Sequence, residues 1–474
     1  MSDKKSGIYD ARSLGYPKMF VLGFQHMFAM FGATVLVPAL TGLSVSATLL
    51  FAGLGTLLFH FLTKGKVPAF LGSSFAFIGG YKAVAWTVGP DGNEILHPEL
   101  LPYACLGVMS AGLLYLVLAG LIKVFGQKKI MRFFPPVVTG SIIIAIGLTL
   151  SSTAIDSCRK NWPVALLAIL VVILCNIYGK GMIKIIPIIL GVIVSYVAAC
   201  CLNIVDFEPV KQAAWIGLPF KMEDTVFEVF RSPDKSQIVT AIIAIMPIAL
   251  ATMVEHIGDI SAISSTTDRN FIEEPGLHRT LLGDGLATML ASLFGAPANT
   301  TYGENTGVLS LTKVYDPRVI RIAAYCAIVF SFSPKFAALI ASMPAATVGG
   351  VSLVLYGMIS AVGVRNIVEN QVDFSKSRNI IIAALILVLS IGVKYSSAIS
   401  GDIVVEIGSV KFALSGLALG AVVGIILNAI LPLDEKGYKG ANKAFTSEEG
   451  GELTISSRPL RADTKRKIQN KKKK

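Results

Sequence analysis

Apolar runs of about 20 residues recur along this chain from Met19 to Leu431, separated by short clusters of Lys, Arg, Gly and Pro. Coiled as a helix, a run of that length covers about 30 Å, the thickness of a bilayer's hydrocarbon core. The runs lack the alternation and roughly 10-residue length of barrel strands, and no single polar stripe follows them. Helices are therefore the spanning solution, because in lipid each segment must satisfy its own backbone amides and carbonyls. Composition agrees: 15% of the 474 residues are charged, against about 25% in soluble domains, and 53% are hydrophobic. A soluble enzyme is excluded and the lipid bilayer is the first partner. The expected fold is all-α and polytopic.

Breaking the hydropathy at charges predicts fourteen segments, near residues 19–40, 46–62, 67–81, 103–122, 134–151, 162–178, 185–203, 238–259, 280–296, 298–312, 319–340, 345–363, 379–394 and 412–431. Basic loops at Lys64 and Lys66, Lys123 to Arg132, Lys180 and Lys184, Lys313 to Arg321, and Arg365 to Arg378 then share one side with the C-terminal tail. The positive-inside rule makes that side, with both termini, cytoplasmic. Arg159 and Lys160 are an exception left outside. The loop 203–237 and an acid-bearing turn around Asp91, Glu94 and Glu99 are expected outside too.

Residues 1–18 form a cytoplasmic N-terminus, 19–432 one integral domain of the cytoplasmic membrane, and 433–474 a basic tail expected to be disordered. Half of the net charge of +12 sits in that tail, which ends Lys471 to Lys474. Following directly on a membrane domain, it reads as a contact for anionic lipid and not as a nucleic-acid arm. No cleavable signal precedes the first segment. The six cysteines lie mostly in apolar segments without CxxC spacing and read as small hydrophobes, with no metal site or disulfide framework.

Two segments are too short for ordinary spans. Val67 to Tyr81 (VPAFLGSSFAFIGGY) and Ala298 to Thr312 (ANTTYGENTGVLSLT) would each make about 22 Å of helix. Each opens with extended-prone residues and carries Gly, Ser, Thr or Asn where a lipid-facing helix would carry Leu. Both are expected to begin as an extended stretch and become a half-helix, which is tolerated at that depth only around a buried cavity. They are segments three and ten, the third position of each half if the chain is two repeats of seven. An odd number of spans per repeat makes the second copy enter from the opposite face, and matched broken segments in an inverted repeat point to a transporter's binding site. Loosely packed re-entrant segments without a ligand are the plain alternative.

Segment eight carries Glu255, His256 and Asp259 at the end of its apolar run. Each charge at mid-membrane depth costs roughly 2.5 to 3.5 kcal/mol. Glu255 and Asp259, four apart, share a helical face, while His256 points about 100° away. They form either a buried pair or a solvated cluster at the helix end. Glu304 in segment ten adds a third carboxylate with no basic residue before Lys313. Carboxylates without matching cations suit a proton site or a ligand rich in N–H donors, and would repel an anion. His26, beside Gln25 in segment one, is either a packing residue or part of the proton path. HExxH, Walker and nucleophile-elbow motifs are all missing, which leaves an ATP-driven pump or membrane protease nothing to work with and points to an ion gradient.

Glu304-Asn305-Thr306-Gly307 through Thr312-Lys313 matches a specific signature: an acidic, amide or proline residue, then Asn-x-Gly-x-x-x-x-Thr, then a basic residue or Gly. With Phe31 to Pro38, Leu71 to Phe77, Glu255-His256, and Gly349 to Leu353 leading to Tyr356, the chain from about 14 to 432 resembles the nucleobase/ascorbate transporter family, and within it the bacterial uracil permeases. The resemblance implies fourteen segments in a seven-plus-seven inverted repeat, a core domain of segments one to four and eight to eleven, and a gate domain of five to seven and twelve to fourteen. Substrate would sit between the half-helices of segments three and ten, facing segment eight. Glu in the first signature position goes with uracil-type substrates in the family. Where uracil permeases carry His this chain has Asp259, as purine-transporting members do.

The expected function is import of uracil by proton symport, with no enzymatic activity and no cofactor. Uracil's two N–H groups would be taken by Glu255 and Glu304, its carbonyls by half-helix amides, and its ring face by Phe75. Phe75 and Tyr356 equally fit plain core packing. Tyr302 and Asn305, counted among the binding residues, would mainly fix the signature backbone. Asp259, Glu255 and His26 are the proton-coupling residues. Xanthine or urate import driven by proton or Na⁺ is the near alternative, and an anion exchanger of related fold is the alternative of another class. A homodimer is compatible with the sequence.

Overall fold

The helices begin and end where local chemistry dictates. The computed structural model describes residues 7–88, 94–180, 182–396, 402–407 and 410–432; the basic tail and Asp91 lie outside the described residues. The principal helices are α1 (Tyr16–Thr41), α2 (Val45–Leu62), α3 (Ile78–Ala85), α4 (Leu101–Phe125), α5 (Pro136–Arg159), α6 (Trp162–Tyr178), α7 (Pro187–Cys201), α8 (Lys235–Ile245), α9 (Ile248–Thr267) and α10 (Leu277–Leu293). They continue with α11 (Glu304–Thr312), α12 (Pro317–Ser331), α13 (Pro334–Ala341), α14 (Ala345–Glu369), α15 (Ser377–Tyr395) and α16 (Gly416–Ile430). Proline opens α5, α6, α7, α12 and α13, where a missing N–H is harmless. Asn161, Asp234 and Asp316 cap α6, α8 and α12 by accepting first-turn amides.

Three boundaries differ from the sequence expectation. Segment eight, expected at 238–259, is two helices broken at Pro247, and the second runs on to Thr267. Proline lacks the N–H that would continue the ladder, so the break has a local cause. Segment eleven, expected at 319–340, bends by 90° between α12 and α13. Segment fourteen, expected from 412, is helical only from Gly416, because Val410–Ser415 forms a hairpin strand against Asp402–Ile407. Among the described residues, with α8 and α9 taken together as one run from Lys235 to Thr267, six helices are long and apolar enough to cross a membrane, or seven if the bent pair is one span, and four shorter apolar helices accompany them. Exposed Val124, Ile177, Val329, Val388 and Ile430 give the outer surface its apolar character.

The helices pack in recurring pairs. α2 lies on α12 and α10, α4 on α10 and α8, and α1 on α12. A second set joins α5 to α14 and α15, α6 to α7 and α14, and α15 to α16. Glycines set the closest approaches: a Cβ on Gly363 of α14 would meet Gly140 O of α5 at 2.7 Å, and one on Gly285 of α10 would meet Tyr115 of α4 at 2.5 Å.

Ahead of α1, residues 7–15 form a strap across helix ends. Tyr9 donates its hydroxyl proton to Thr267 O at 2.7 Å, at the end of α9, and the Arg269 guanidinium lies 4.3 Å from the centre of its ring. Ile8 bridges to Val314, and Ala11 N–H donates to Asp316 at 2.8 Å, at the start of α12. Hydrogen bonds from the Arg12 side chain and amide, with Arg318 nearby, hold the Asp10 carboxyl down at about 2.

Candidate functional site

Two extended stretches meet inside the helices. β1 (Leu71–Ser73) precedes a short turn of helix and α3, β2 (Trp86–Val88) and β3 (Glu94–Leu96) form a separate small hairpin, and β4 (Asn299–Thr301) precedes α11. β1 and β4 pair antiparallel, Leu71 with Thr301, Gly72 with Thr300 and Ser73 with Asn299. Ser74 N–H to Ala298 O at 2.9 Å and Tyr302 N–H to Phe70 O at 3.0 Å continue the ladder. All six strand residues are buried, so the two stretches satisfy backbone groups that water cannot reach.

Side chains tie this ladder to its surroundings. The Thr56 hydroxyl of α2 accepts from Leu71 N–H at 2.9 Å, Asn299 donates to Phe51 O at 2.6 Å, and Thr288 of α10 donates to Asn299 O at 2.9 Å. Tyr302 lies over Gly72, where a Cβ would come within 2.6 Å of the ring, and its hydroxyl donates to Ser73 O at 2.8 Å. Glycine is required there for close approach and not for its backbone angles.

α9 crosses beside β4 and presents its polar residues in mid-helix. Glu255 is half-buried and Asp259 is buried at 8% exposure, and the helix continues two turns beyond Asp259. Neither carboxylate is at the end of its helix. Thr301 donates its hydroxyl proton to Asp259 Oδ2 at 3.4 Å, and Asp259 Oδ1 lies against Gly303, the N-cap of α11. A carboxylate at this position faces the positive end of the half-helix.

His256 points to the other side of Thr301. Its Nδ1 lies 3.1 Å from Thr301 Oγ1 and 3.3 Å from Asp284 Oδ2, with the His256 and Asp284 side chains both fully buried. Since Thr301's proton goes to Asp259, the His256 contact is read with Nδ1–H donating. Phe59 covers the imidazole edge-on, with ring centres 6.4 Å apart. Asp284 is the residue that sequence reasoning missed. Its signal was a charge between two glycines, Gly283 and Gly285, inside an apolar run, where each glycine admits a neighbouring side chain, Phe59 or Tyr115.

Phe75 stands at the head of the short turn after β1 and meets Tyr356 of α14 edge-on, 5.5 Å between centres, with both residues buried. His26, buried in α1, faces Asn305 in the first turn of α11. Glu304 opens α11, and its side chain lies outside the described residues. The structure thus brings Asp259, Tyr302 and the α11 N-terminus to one place around β4, with Glu255 one turn before Asp259 on α9 and Phe75 just after β1. Among the described residues no cluster of His, Cys, Asp and Glu could hold a metal ion.

Residues 17–399 match the Permease family, Xan_ur_permease. The chain belongs to the xanthine/uracil permease family. It is 40% identical over 463 residues to the uracil permease of Bacillus subtilis strain 168, covering 95% of this chain and 99% of that one. The uracil permease of Bacillus caldolyticus is 41% identical over 435 residues, with coverage of 90% and 94%. Its apolar helices make this permease a multi-pass membrane protein. The fold is shared with more distant carriers: the transmembrane domain of the cyanobacterial bicarbonate transporter BicA superposes with a TM-score of 0.58 at 16% identity, covering 90% of this chain and 99% of that one. SLC26A9 superposes with a TM-score of 0.60 at 13% identity, covering 89% and 66%.

Proposed function

We propose that the protein imports uracil together with a proton across the cytoplasmic membrane. The observation that carries this reading is the β1–β4 ladder, which sets the N-terminus of α11 against the acidic face of α9. Glu255 and Glu304 accept from the two ring N–H groups, half-helix amides serve the carbonyls, and Phe75 covers the ring with Tyr356 behind it. Tyr302 and Asn305 hold the signature backbone. Three buried or half-buried carboxylates, Glu255, Asp259 and Asp284, disfavour an anion as cargo. Asp259 keeps xanthine as the competing substrate.

The fourteen-segment, seven-plus-seven repeat is part of the proposal, and the packing pairs support it. Number the segments so that α2 is second, α4 fourth, α8 with α9 eighth, α10 ninth and α12 eleventh. Shifting every member by seven turns the α2–α12 pair into α10–α4, α1–α12 into α8–α4, α6–α7 into α15–α16, and α14–α6 into α5–α15. Each product is itself an observed pair. The same pairs sort into a core of segments one to four and eight to eleven and a gate of five to seven and twelve to fourteen. Relative movement of gate and core would expose the site alternately.

Uptake of labelled uracil, xanthine and urate into proteoliposomes under an imposed pH or Na⁺ gradient tests the function. Uracil accumulation driven by the pH gradient is expected. Preferential accumulation of xanthine, or dependence on Na⁺ alone, would replace this reading by the purine one.

A further inference from the structure

The loop 203–237, expected outside the membrane, is pinned to helix ends on one flank and apolar on the other. Lys335 N–H donates to Ala214 O at 2.9 Å and Gly217 N–H to Phe332 O at 3.0 Å, where α12 turns into α13. The Ser44 hydroxyl ahead of α2 donates to Pro219 O at 3.4 Å, and Val226 N–H donates to Leu293 O at 3.1 Å, at the end of α10. Phe220 packs inward, its ring centre 5.1 Å from that of Phe294. Between these ties Trp215, Ile216 and Leu218 are 75%, 83% and 83% exposed. With the backbone held before and after them, they cannot turn inward without breaking those bonds.

We propose that Trp215, Ile216 and Leu218 insert into the boundary between lipid headgroups and acyl chains, which makes the loop a membrane anchor and not an aqueous connection. The patch continues the exposed apolar side of α12, where Tyr325 and Val329 lie one turn apart just before Phe332. α13 bends by 90° from α12, so with α12 crossing the bilayer α13 runs along its surface. Lys335 of α13 places its Nζ 4.9 Å from the centre of the Trp215 ring. That pairing suits the boundary, where an amphipathic ring and a snorkelling ammonium each keep one end in water. Charge is not what holds the loop: Lys211 lies 3.3 Å from Glu208, Lys221 3.2 Å from Glu223 and Arg231 3.1 Å from Glu228, three pairs of zero net charge. Seated in this way, the loop fixes the membrane depth of the α2, α10 and α12 ends to which it is tied. The anchor is independent of the nucleobase reading and of which face is external.

Trp215 can report on its own surroundings. In phosphatidylcholine nanodiscs the emission lost on Trp215→Phe is that of Trp215, because Trp86 and Trp162 cancel in the difference and an exposed side chain can be exchanged without disturbing the fold. Phosphatidylcholine brominated near the headgroup end of its chains should quench this emission at least about twofold more than lipid brominated near the chain terminus, since an interfacial residue sits roughly 5 to 10 Å deep. Iodide in solution should quench it little. Leu218→Trp in the Trp215→Phe protein should give the same pattern, and replacing part of the lipid by an anionic one should change neither result. Quenching by iodide and not by bromine would place the loop in water. Protection from both would place it in a contact with a second copy of the chain, and bromine quenching confined to anionic bilayers would make the contact electrostatic. Each of these three results overturns the anchor.

Discussion

The carboxylate of Asp259 rests on Gly303, so closely that a Cβ at Gly303 would lie 2.8 Å from Asp259 Oδ1. Gly303 has φ of −63°, an angle any residue adopts, so the glycine serves the contact and not the backbone. Gly303→Ala should therefore fold normally yet displace Asp259 from the end of α11. Uracil uptake should fall at least about tenfold, the equivalent of about 1.4 kcal/mol, with little change in melting temperature. Parental uptake in this variant would detach Asp259 from the transport cycle.

Glu304→Gln keeps an acceptor but turns an N–H₂ group toward the substrate's own N–H. One buried donor then stays unpaired at a cost of about 1 to 3 kcal/mol, so uracil binding measured by calorimetry should weaken at least about tenfold. A purine with an acceptor at that edge would be spared. Unchanged uracil affinity would remove Glu304 from the ligand set.

Glu255 and Asp259 lie one turn apart on α9, and the proposed coupling has this pair share one proton. Asp259→Asn imitates the protonated member permanently. It should retain counterflow exchange of uracil while losing accumulation driven by a pH gradient. Steep accumulation in the variant would move coupling to His26 or to His256 with its partner Asp284.

The N-terminal strap carries its own pH dependence. Asp10 is held at about 2 against an ordinary 3.8, chiefly by hydrogen bonds from Arg12. A lowered carboxyl stabilises the docked strap fully above its ordinary value, and that contribution is lost as pH falls from about 4 to about 2. Hydrogen exchange at Ile8 and Ala11 should thus stay slow down to about pH 4 and accelerate below it. Asp10→Asn should show the fast exchange at neutral pH. Acceleration already at pH 5 to 6 would place control elsewhere in the strap.

Orientation is testable with an impermeant thiol reagent on intact cells. Ser232→Cys, exposed in the loop before α8, should be labelled, and Ser457→Cys in the basic tail should not. The reverse pattern would invert every loop assignment.

Much of this architecture is legible in local sequence, because a helix in lipid depends on its own apolar run. The runs beginning at Val45, Trp162 and Ser377 become α2, α6 and α15 with boundaries close to those expected. The Pro247 break was also written in the chain but is hidden by the apolar residues on both sides of it. Long-range pairings were not legible. His256 meets Asp284 only because Gly283 and Gly285 let α10 close on Phe59 and Tyr115, and no periodicity encodes that approach. The hairpin before α16 was overlooked because Val410 to Leu414 is apolar enough to pass for the start of a span.

Leu71 and Thr301 are partners in a ladder whose strands are about 230 residues apart in the chain. During synthesis β1 must wait for most of the protein before its partner emerges, with Leu71 N–H held by the Thr56 hydroxyl and the neighbouring amides unmatched. The candidate site is thus among the last parts to assemble, and a chain halted before Asn299 carries an unsealed strand in the bilayer. Arrested chains ending before Asn299 should consequently be cleared by membrane quality control far faster than chains ending after Thr312, a contrast that pulse-chase measurement of the two lengths would reveal.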